Sequence, residues 1–191
     1  MRLNFFINAV SKKAVLILFN NDRQIISTKY IDIFWNESEK LTWIIDSFLL
    51  ENKINYNDLQ NLVVVNWPWS FTWVRTIVLI INTINFLIWK NITSINFFDL
   101  FDKYPIVKSS SKRDLFVKFD KKTKIEVIKN EDFIHIANEN SIKEIFWDLN
   151  NKDIFDISLI DNINYDNIIR NLNFKKDKLI SPLYIKKPNI S

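Results

Sequence analysis

The sequence predicts an α/β protein with two lobes, each built on a β-sheet that helices cover. Three observations support this fold class. The chain has 191 residues and is 48% apolar, which is enough for two small cores but too little for several independent domains. Strand-like runs alternate with helical runs, and the order in the first half is weakly repeated in the second. We predict a first lobe over residues 1–103 and a smaller second lobe over residues 104–191.

The first lobe is predicted to begin with a three-stranded meander. Residues 3–9, 14–19 and 24–31 are rich in residues that favour strands, and polar breaks separate them. The second break, Asn20-Asn21-Asp22, has the composition of a tight turn. Short breaks of this kind join neighbouring antiparallel strands, so the three runs should lie side by side in one sheet.

A helix, a strand and a second helix follow the meander. Asn36 and Glu39 have the spacing of a capping box, and apolar residues recur at helical spacing over residues 37–50. Residues 62–65 are wholly apolar, which is typical of a strand buried on both faces. Residues 71–88 are apolar nearly all round, as expected of a helix between layers. The predicted order of this lobe is β-β-β-α-β-α.

The second half shows a weaker version of the same order. Strands are predicted at residues 106–108, 115–119, 125–128 and 154–160, and helices at residues 141–147 and 165–172. A meander, a helix, a strand and a helix in duplicate form the layout of the ribonuclease H-like, actin-like ATPase (ASKHA) superfamily. The predicted fold is therefore α/β and two-lobed, of the ASKHA type, with β-β-β-α-β-α repeated.

Composition excludes several classes of protein. The chain has no cysteine, so disulfide frameworks, thiolate nucleophiles and cysteine metal sites are excluded. Polar residues interrupt the longest apolar region, residues 77–89, which is also shorter than the roughly 20 residues that a membrane-spanning helix needs. A secretion signal is not expected in the first residues, because Lys12 and Lys13 interrupt the apolar residues from Leu3 to Phe19. We expect a cytoplasmic protein without membrane contact. Basic residues accumulate near the C-terminus, where a solvated end is favoured over a nucleic-acid contact.

The chain contains no glycine but seven tryptophans. At the usual frequency of roughly 7%, about 13 glycines are expected. Several tryptophans stand at turns or loop–helix junctions, where glycine is normally needed; they are Trp35, Trp67, Trp69, Trp89 and Trp147. We hypothesise that the gene uses UGA for glycine, as some bacterial lineages do, so that these positions are glycine in the cell. The alternative is genuine tryptophan, and UGG codons at positions 67, 69 and 73 would establish it.

Residues 66–75 lie where a strand enters a tight loop that opens a helix. Such a junction leaves backbone N–H groups unpaired at the helix N-terminus, where a partner's acceptors can dock. With glycine for tryptophan, the segment reads Asn-Gly-Pro-Gly-Ser-Phe-Thr-Gly-Val-Arg. It then resembles the Gly-Pro-Gly-Ser-Phe-Thr-Gly-Leu/Val-Arg pattern of the TsaB (YeaZ) family. The motif residues are Trp67, Pro68, Trp69, Ser70 (the expected helix cap), Phe71, Thr72, Trp73 and Arg75.

Three further stretches resemble the same family. Residues 37–41 resemble its His-Ser-Glu-x-Leu, residues 111–116 its Ala-Arg-Arg-x-Glu-Val-Tyr, and residues 182–186 its Pro-Leu-Tyr-Leu-Arg. The first strand departs from the family pattern, because Ile7-Asn8-Ala9 stands where the family has Ile-Asp-Thr. An amide replaces the acid, so any role for a carboxylate at this position is lost.

The resemblance implies a non-catalytic subunit of the complex that makes N6-threonylcarbamoyladenosine on tRNA. Such a subunit pairs with the catalytic paralogue TsaD through helices of its first lobe, the ATPase TsaE joins them, and tRNA is bound through the complex. Self-association is the alternative when the partner is absent. ATP and metal are expected in the partner subunits, and no cofactor in this chain. The predicted interface residues are Leu41, Ile45, Phe48, Val74, Val78 and Ile81, although a core within the chain would also explain their apolar pattern.

The residues themselves show no catalytic set, so no catalytic or metal-binding residue is predicted. A TsaD-type metal motif needs two histidines at helical spacing, whereas the single histidine, His135, stands in a strand-like stretch and is interpreted as structural. Glu37/Glu39 and Glu131/Asp132 are interpreted as a helix start and a turn rather than a catalytic pair.

Two other functions stay open. The chain is alternatively a glycoprotease-like or other ASKHA-fold enzyme. If the tryptophans are genuine, it is alternatively a module that binds bases or sugars, with Trp67, Trp69, Phe71 and Trp73 as a stacking platform.

Overall fold

The structure is a computed structural model, and it describes residues 2–11, 13–32, 40–68, 71–148, 157–160 and 162–183. The chain forms two compact units. Met1–Phe97 and Tyr165–Ser191 make the first, and Phe98–Asn164 makes the second. The break after Phe97 lies close to the predicted boundary. The predicted extent of the second lobe differs, because the chain returns to the first unit at Tyr165 instead of ending in the second.

The first unit contains a five-stranded mixed sheet. Its elements are β1 (Leu3–Asn8), β2 (Lys13–Phe19), β3 (Ile25–Asp32), α1 (Lys40–Glu51), β4 (Leu59–Val65), α2 (Phe71–Ile88) and β5 (Asn91–Ile95). The strand order is β3-β2-β1-β4-β5. The meander β1–β3 is antiparallel, whereas β4 pairs parallel with both β1 and β5. The predicted meander, helix, strand and helix are confirmed, and β5 follows them.

Helices α1 and α2 lie on one face of this sheet. Each belongs to a connection between parallel strands, and both connections run in the same direction across the sheet, so right-handed crossovers place both helices on the same side. Phe5 of β1 packs against Phe48 of α1, with ring centroids 6.3 Å apart. Every residue of β1 is buried, which means that the opposite face is covered as well.

The opposite face is covered by the C-terminal part of the chain. Phe6 of β1 meets the ring of Tyr165 edge-on at 5.6 Å, and Phe19 of β2 stacks with Phe174 at 6.3 Å. Further along, Ile92 of β5 forms an antiparallel bridge with Asp177. These contacts explain why the last residues belong to the first unit.

The second unit repeats the strand order of the first. Its elements are β6 (Ile106–Ser109), β7 (Asp114–Lys118), β8 (Glu126–Lys129), α3 (Asn130–Glu139), β9 (Glu144–Asp148) and β10 (Ser158–Ile160), and the chain then returns to the first unit with α4 (Tyr165–Arg170). The sheet order is β10-β9-β6-β7-β8, which, counted from the edge of the meander, is the same as in the first unit. Helix α3 packs Phe133 and Ala137 into a core with Val107, Leu115 and Ile145. The predicted fold class is thus confirmed.

Two elements, β9 and α3, differ from the prediction. The predicted helix at residues 141–147 is wrong, because Glu144–Asp148 forms strand β9, paired parallel with β6 and β10. His135 lies on the exposed side of α3 rather than in a strand. Glu131 and Asp132 accordingly form the first turn of that helix, where carboxylates favour the positive end of the helix dipole. The predicted capping residues Asn36 and Glu39 lie outside the described residues.

Candidate functional site

The loop between β4 and α2 is fixed at its first residues. The Asn66 backbone N–H donates to the Ile95 carbonyl at 3.1 Å, and the Phe97 N–H donates to the Trp67 carbonyl at 2.8 Å. The side chain of Asn66 also donates to the Ser181 carbonyl at 3.3 Å. Trp69 and Ser70 lie outside the described residues, as do the side chains of Phe71 and Thr72. The motif loop is therefore attached both to the end of β5 and to the C-terminal segment.

Two tryptophans of the motif are core residues. Trp67 and Trp73 are only 3% and 6% exposed, and the indole N–H of Trp73 donates to the Ala9 carbonyl. A stacking platform needs open ring faces on which a base or sugar can lie. Burial therefore contradicts the interpretation of Trp67 and Trp73 as a ligand-stacking pair.

The backbone at Trp89 supports the glycine hypothesis. Trp89 directly follows α2 and has φ of 52°, in the left-handed region. Its N–H donates to the Asn85 carbonyl at 2.7 Å, which is a helix-ending geometry that glycine normally adopts. In contrast, Trp43 lies inside α1, where glycine is disfavoured. Among the described tryptophans, Trp89 is thus the one whose conformation most favours glycine.

The six predicted interface residues lie inside the protein. Leu41, Ile45, Phe48, Val74, Val78 and Ile81 are all buried in the core of the first unit. Side chains buried against the sheet of their own chain are not available to a partner, so these residues are corrected to core positions. The apolar side chains that α1 and α2 leave exposed are different ones.

We call the exposed side of α2 the outer face, defined by Leu79, Thr83, Phe86 and Leu87. Leu79, Phe86 and Leu87 are 67%, 74% and 75% exposed. Leu79, Thr83 and Phe86 are separated by four and three residues, which places them on one side of a helix. Arg75 is exposed one turn before Leu79. Helix α1 adds exposed Trp43 and Leu50. Sequence reasoning missed this face because α2 is apolar nearly all round, and apolarity alone does not tell which side the sheet covers.

The position of the missing acid is occupied by a buried, hydrogen-bonded amide. The Asn8 side chain donates to the Tyr165 hydroxyl at 2.9 Å and accepts the Val10 N–H at 3.3 Å. Both polar atoms of the amide therefore hold parts of the first unit together. Within the described ranges, no group of three or more His, Asp or Glu residues is arranged to hold a metal ion.

The polar residues that interrupt α2 bind the C-terminal segment. Asn82 donates to the Ile180 carbonyl at 2.9 Å and accepts the Ile180 N–H at 3.1 Å, as a neighbouring strand would. Asn85 donates to the Lys178 carbonyl at 2.8 Å. The Lys178 ammonium in turn donates to the Lys90 carbonyl at 3.0 Å. Part of the basic C-terminal stretch is thus structural, while residues 184–186 of its predicted family motif lie outside the described residues.

None of the helices in the described ranges combines the length and apolar content that are needed to cross a bilayer. This includes α2, the longest helix that the structure describes.

Solved structures resemble this chain, although no protein-family model and no curated protein matches its sequence. YeaZ from Pseudomonas aeruginosa superimposes with a TM-score of 0.58 and 11% identity, covering 69% of this chain and 68% of that one. A protein with similarity to peptidase YeaZ from Pseudomonas aeruginosa gives a TM-score of 0.69 and 10% identity, covering 97% of this chain and 100% of that one. At these identities the likeness shows the fold, which is YeaZ-like.

Proposed function

We propose that this chain is a non-catalytic subunit of the complex that makes N6-threonylcarbamoyladenosine on tRNA, and that it binds a TsaD-type catalytic subunit through the outer face of α2. The observation that carries the proposal is the exposed apolar side of this helix in a chain with a YeaZ-like fold. The glycine-corrected motif of residues 66–75 supports it, because α2 begins inside that motif.

The outer face has the character of a protein interface. Soluble proteins rarely expose several large apolar side chains side by side unless the surface is functional. Fully burying one such side chain contributes about 1.5–3 kcal/mol. Leu79, Phe86 and Leu87 are each two-thirds to three-quarters exposed, so covering all three would contribute roughly 3–6 kcal/mol. This is enough to hold a partner at the centre of an interface, with Arg75 at its polar rim.

The amide at Asn8 supports a non-catalytic role. Its carbonyl oxygen and its NH₂ group are both engaged inside the protein. An amide is neither protonated nor deprotonated near neutral pH, so this side chain is unsuited to general acid–base catalysis. The chemistry of the modification is therefore assigned to the partner.

Replacing the outer face tests the docking surface. The Leu79→Ser/Phe86→Ser variant should still fold, because both side chains are exposed. We expect it to weaken binding to the purified TsaD-type subunit by about 100-fold, or about 2.7 kcal/mol, as measured by calorimetry. Ile26→Ser/Tyr30→Ser is the matched control, since it removes two exposed apolar side chains from β3 at the far edge of the sheet.

The control should bind within about twofold of the unchanged protein, because rim and remote residues contribute little. If Leu79→Ser/Phe86→Ser binds the TsaD-type subunit as tightly as the unchanged protein does, the outer face is excluded as the docking surface. Equal weakening by both would mean that the effect comes from general destabilisation, which thermal unfolding of each variant measures separately.

A further inference from the structure

Charge is unevenly distributed along the second unit. Residues 103–129, which form β6, β7 and β8 with their turns, contain nine basic and three acidic residues. Residues 130–164 contain two basic and eight acidic residues. We call residues 103–129 the basic meander. An excess of positive charge on three adjacent strands and their turns is the electrostatic footprint of a surface that binds polyanions.

Most of the cations in the basic meander face solvent. Seven of the nine side chains are exposed: Lys103, Lys112, Arg113, Lys121, Lys122, Lys124 and Lys129. Within the described ranges, none of these seven forms an ion pair, whereas Lys29 and Arg170 in the first unit do. Their charge is therefore available to a ligand.

One group of cations projects from the turn between β7 and β8. The Asp120 carboxylate accepts the backbone N–H groups of Lys122 and Thr123 at 2.6 and 3.1 Å, and the Thr123 hydroxyl accepts the Asp120 N–H at 3.0 Å. The Asp120 carboxylate therefore stabilises the backbone conformation of this turn. Lys121, Lys122 and Lys124 extend from a fixed backbone.

A second group lines a cavity of about 670 Å³ at the other end of β7. Lys112 and Arg113 come from the turn between β6 and β7, and Lys129 precedes α3. Asn130 joins the two elements, because its N–H donates to the Arg113 carbonyl at 2.9 Å and its side chain donates to the Lys112 carbonyl at 3.1 Å. The other lining residues are Ser111, Asp114 and Glu131. The cations outnumber the carboxylates, and Asp114 accepts a hydrogen bond from Ser111.

The two groups lie at opposite ends of one strand. Strand β7 has five residues, so at about 3.3 Å per residue the groups are roughly 17 Å apart. A small anion cannot contact both groups at once, whereas a polymer with regularly spaced phosphates can. The arrangement therefore favours a polyanion.

The geometry points to the phosphate backbone of RNA as the ligand of the basic meander. Val127 is the exposed large apolar residue of this segment, and membrane-binding surfaces need several such residues to insert between lipids. The absence of exposed aromatic rings among residues 103–129, all of which the structure describes, disfavours base stacking. Binding to phosphate needs only available cations. The choice of RNA over DNA, and of tRNA among RNAs, rests on the proposed function, whereas binding to a phosphate backbone does not.

Two triple variants of the full chain test this inference against an unmodified tRNA transcript. They are Lys121→Gln/Lys122→Gln/Lys124→Gln and Lys112→Gln/Arg113→Gln/Lys129→Gln. Each removes three charges, as does the control, which replaces the scattered residues Lys13, Lys53 and Lys143 with glutamine. Fluorescence anisotropy at several KCl concentrations gives the affinity and its dependence on salt.

We expect each variant of the basic meander to bind tRNA about tenfold more weakly than the unchanged chain. The slope of log affinity against log salt should become shallower by about one for each phosphate that the protein no longer neutralises. The control should change the affinity by less than about twofold. The inference would be overturned if all three variants bound tRNA as tightly as the unchanged chain does. It would also be overturned if all three were weakened by the same factor.

Vesicles that contain phosphatidylserine separate RNA from a membrane. The unchanged chain should bind tRNA at salt concentrations at which it does not bind these vesicles. Vesicle binding that is as tight as tRNA binding, and is abolished in the same variants, would overturn the inference. The meander variants should still bind the TsaD-type subunit, and Leu79→Ser/Phe86→Ser should still bind tRNA. If the unchanged chain binds tRNA but not the TsaD-type subunit, the proposed function fails and this inference stands. If it binds the TsaD-type subunit but not tRNA, this inference fails and the proposed function stands.

Discussion

Replacing Trp89 with glycine should destabilise the protein less than replacing an equally exposed tryptophan inside a helix. Trp89 has φ of 52°, and the left-handed conformation costs a residue with a Cβ atom about 1–2 kcal/mol. Three effects oppose the gain. About a third of the Trp89 side chain is buried, and losing that contact costs about 1–2 kcal/mol. Glycine has more conformational freedom in the unfolded chain, worth about 0.4–1 kcal/mol. The Lys178 ammonium lies 5.9 Å from the Trp89 ring centroid, an interaction worth about 0.5 kcal/mol at an exposed site. The net effect expected is a destabilisation of about 1 kcal/mol.

Trp43→Gly is the matched control for this substitution. Trp43 and Trp89 are 68% and 67% exposed, so both substitutions remove a similar amount of buried surface. Trp43 lies inside α1, where glycine disfavours the helix by about 0.5–1 kcal/mol. The two variants should therefore differ in stability by about 1 kcal/mol.

Urea denaturation of both variants beside the unchanged protein measures this difference. The midpoint for Trp89→Gly should lie above that for Trp43→Gly, and both should lie below that of the unchanged protein. If Trp89→Gly destabilises the protein as much as Trp43→Gly does, the argument from the backbone angle is wrong. The glycine hypothesis would then lose its structural support.

Three further substitutions test the internal contacts. Asn8→Asp buries a carboxyl group whose folded pKa is raised by burial, so it should destabilise the protein by about 1–3 kcal/mol at pH 7 and less as the pH falls toward 4. Burial and Asp46 raise the pKa of Tyr56, so this group stabilises the fold below pH about 10 and loses that contribution as the pH rises further. Between pH 8 and 11 the free energy of unfolding, measured by denaturation, should therefore fall less in Tyr56→Phe than in the unchanged protein. Asn82→Ala removes both hydrogen bonds to Ile180, and hydrogen exchange of residues 178–183 should become faster while β1 keeps its protection.

Local signals were sufficient where an element has a pattern of its own. Helix α2 begins and ends where the sequence predicts, because residues 71–88 are apolar between a proline-containing loop and a polar break. Strand β4 was predicted from its last four residues and begins three residues earlier, at Leu59. Both elements are recognisable without knowing what packs against them.

Elements that depend on distant partners were not recognisable. Residues Ile142, Ile145 and Phe146 have helical spacing, but pairing with β6 and β10 makes Glu144–Asp148 a strand. Helix α3 was missed because only Phe133 and Ala137 are buried, and its other residues are mostly polar. Such short patterns fit either structure, and the rest of the sheet decides between them.

The candidate site shows the same dependence on tertiary structure. The motif loop was located from residues 66–75, but the exposed side of α2 was not. Asn82 interrupts an apolar run, and its partner Ile180 lies 98 positions later in the chain. The contact between Asn82 and Ile180 identifies the side of α2 that the rest of the protein covers. Without it, the sequence does not distinguish the covered side from the outer face. The sequence therefore indicates which helix matters, and the structure indicates which side of it.

Reconstitution of the modification tests the central claim most directly. Purified TsaD-type and TsaE-type subunits, ATP, a threonylcarbamoyl donor and a tRNA transcript are combined with and without this chain, and threonylcarbamoyladenosine is measured in the digested tRNA. The account predicts modification only when the chain is present, and a much lower rate with Leu79→Ser/Phe86→Ser than with Ile26→Ser/Tyr30→Ser. Modification that proceeds equally well without the chain would contradict the account.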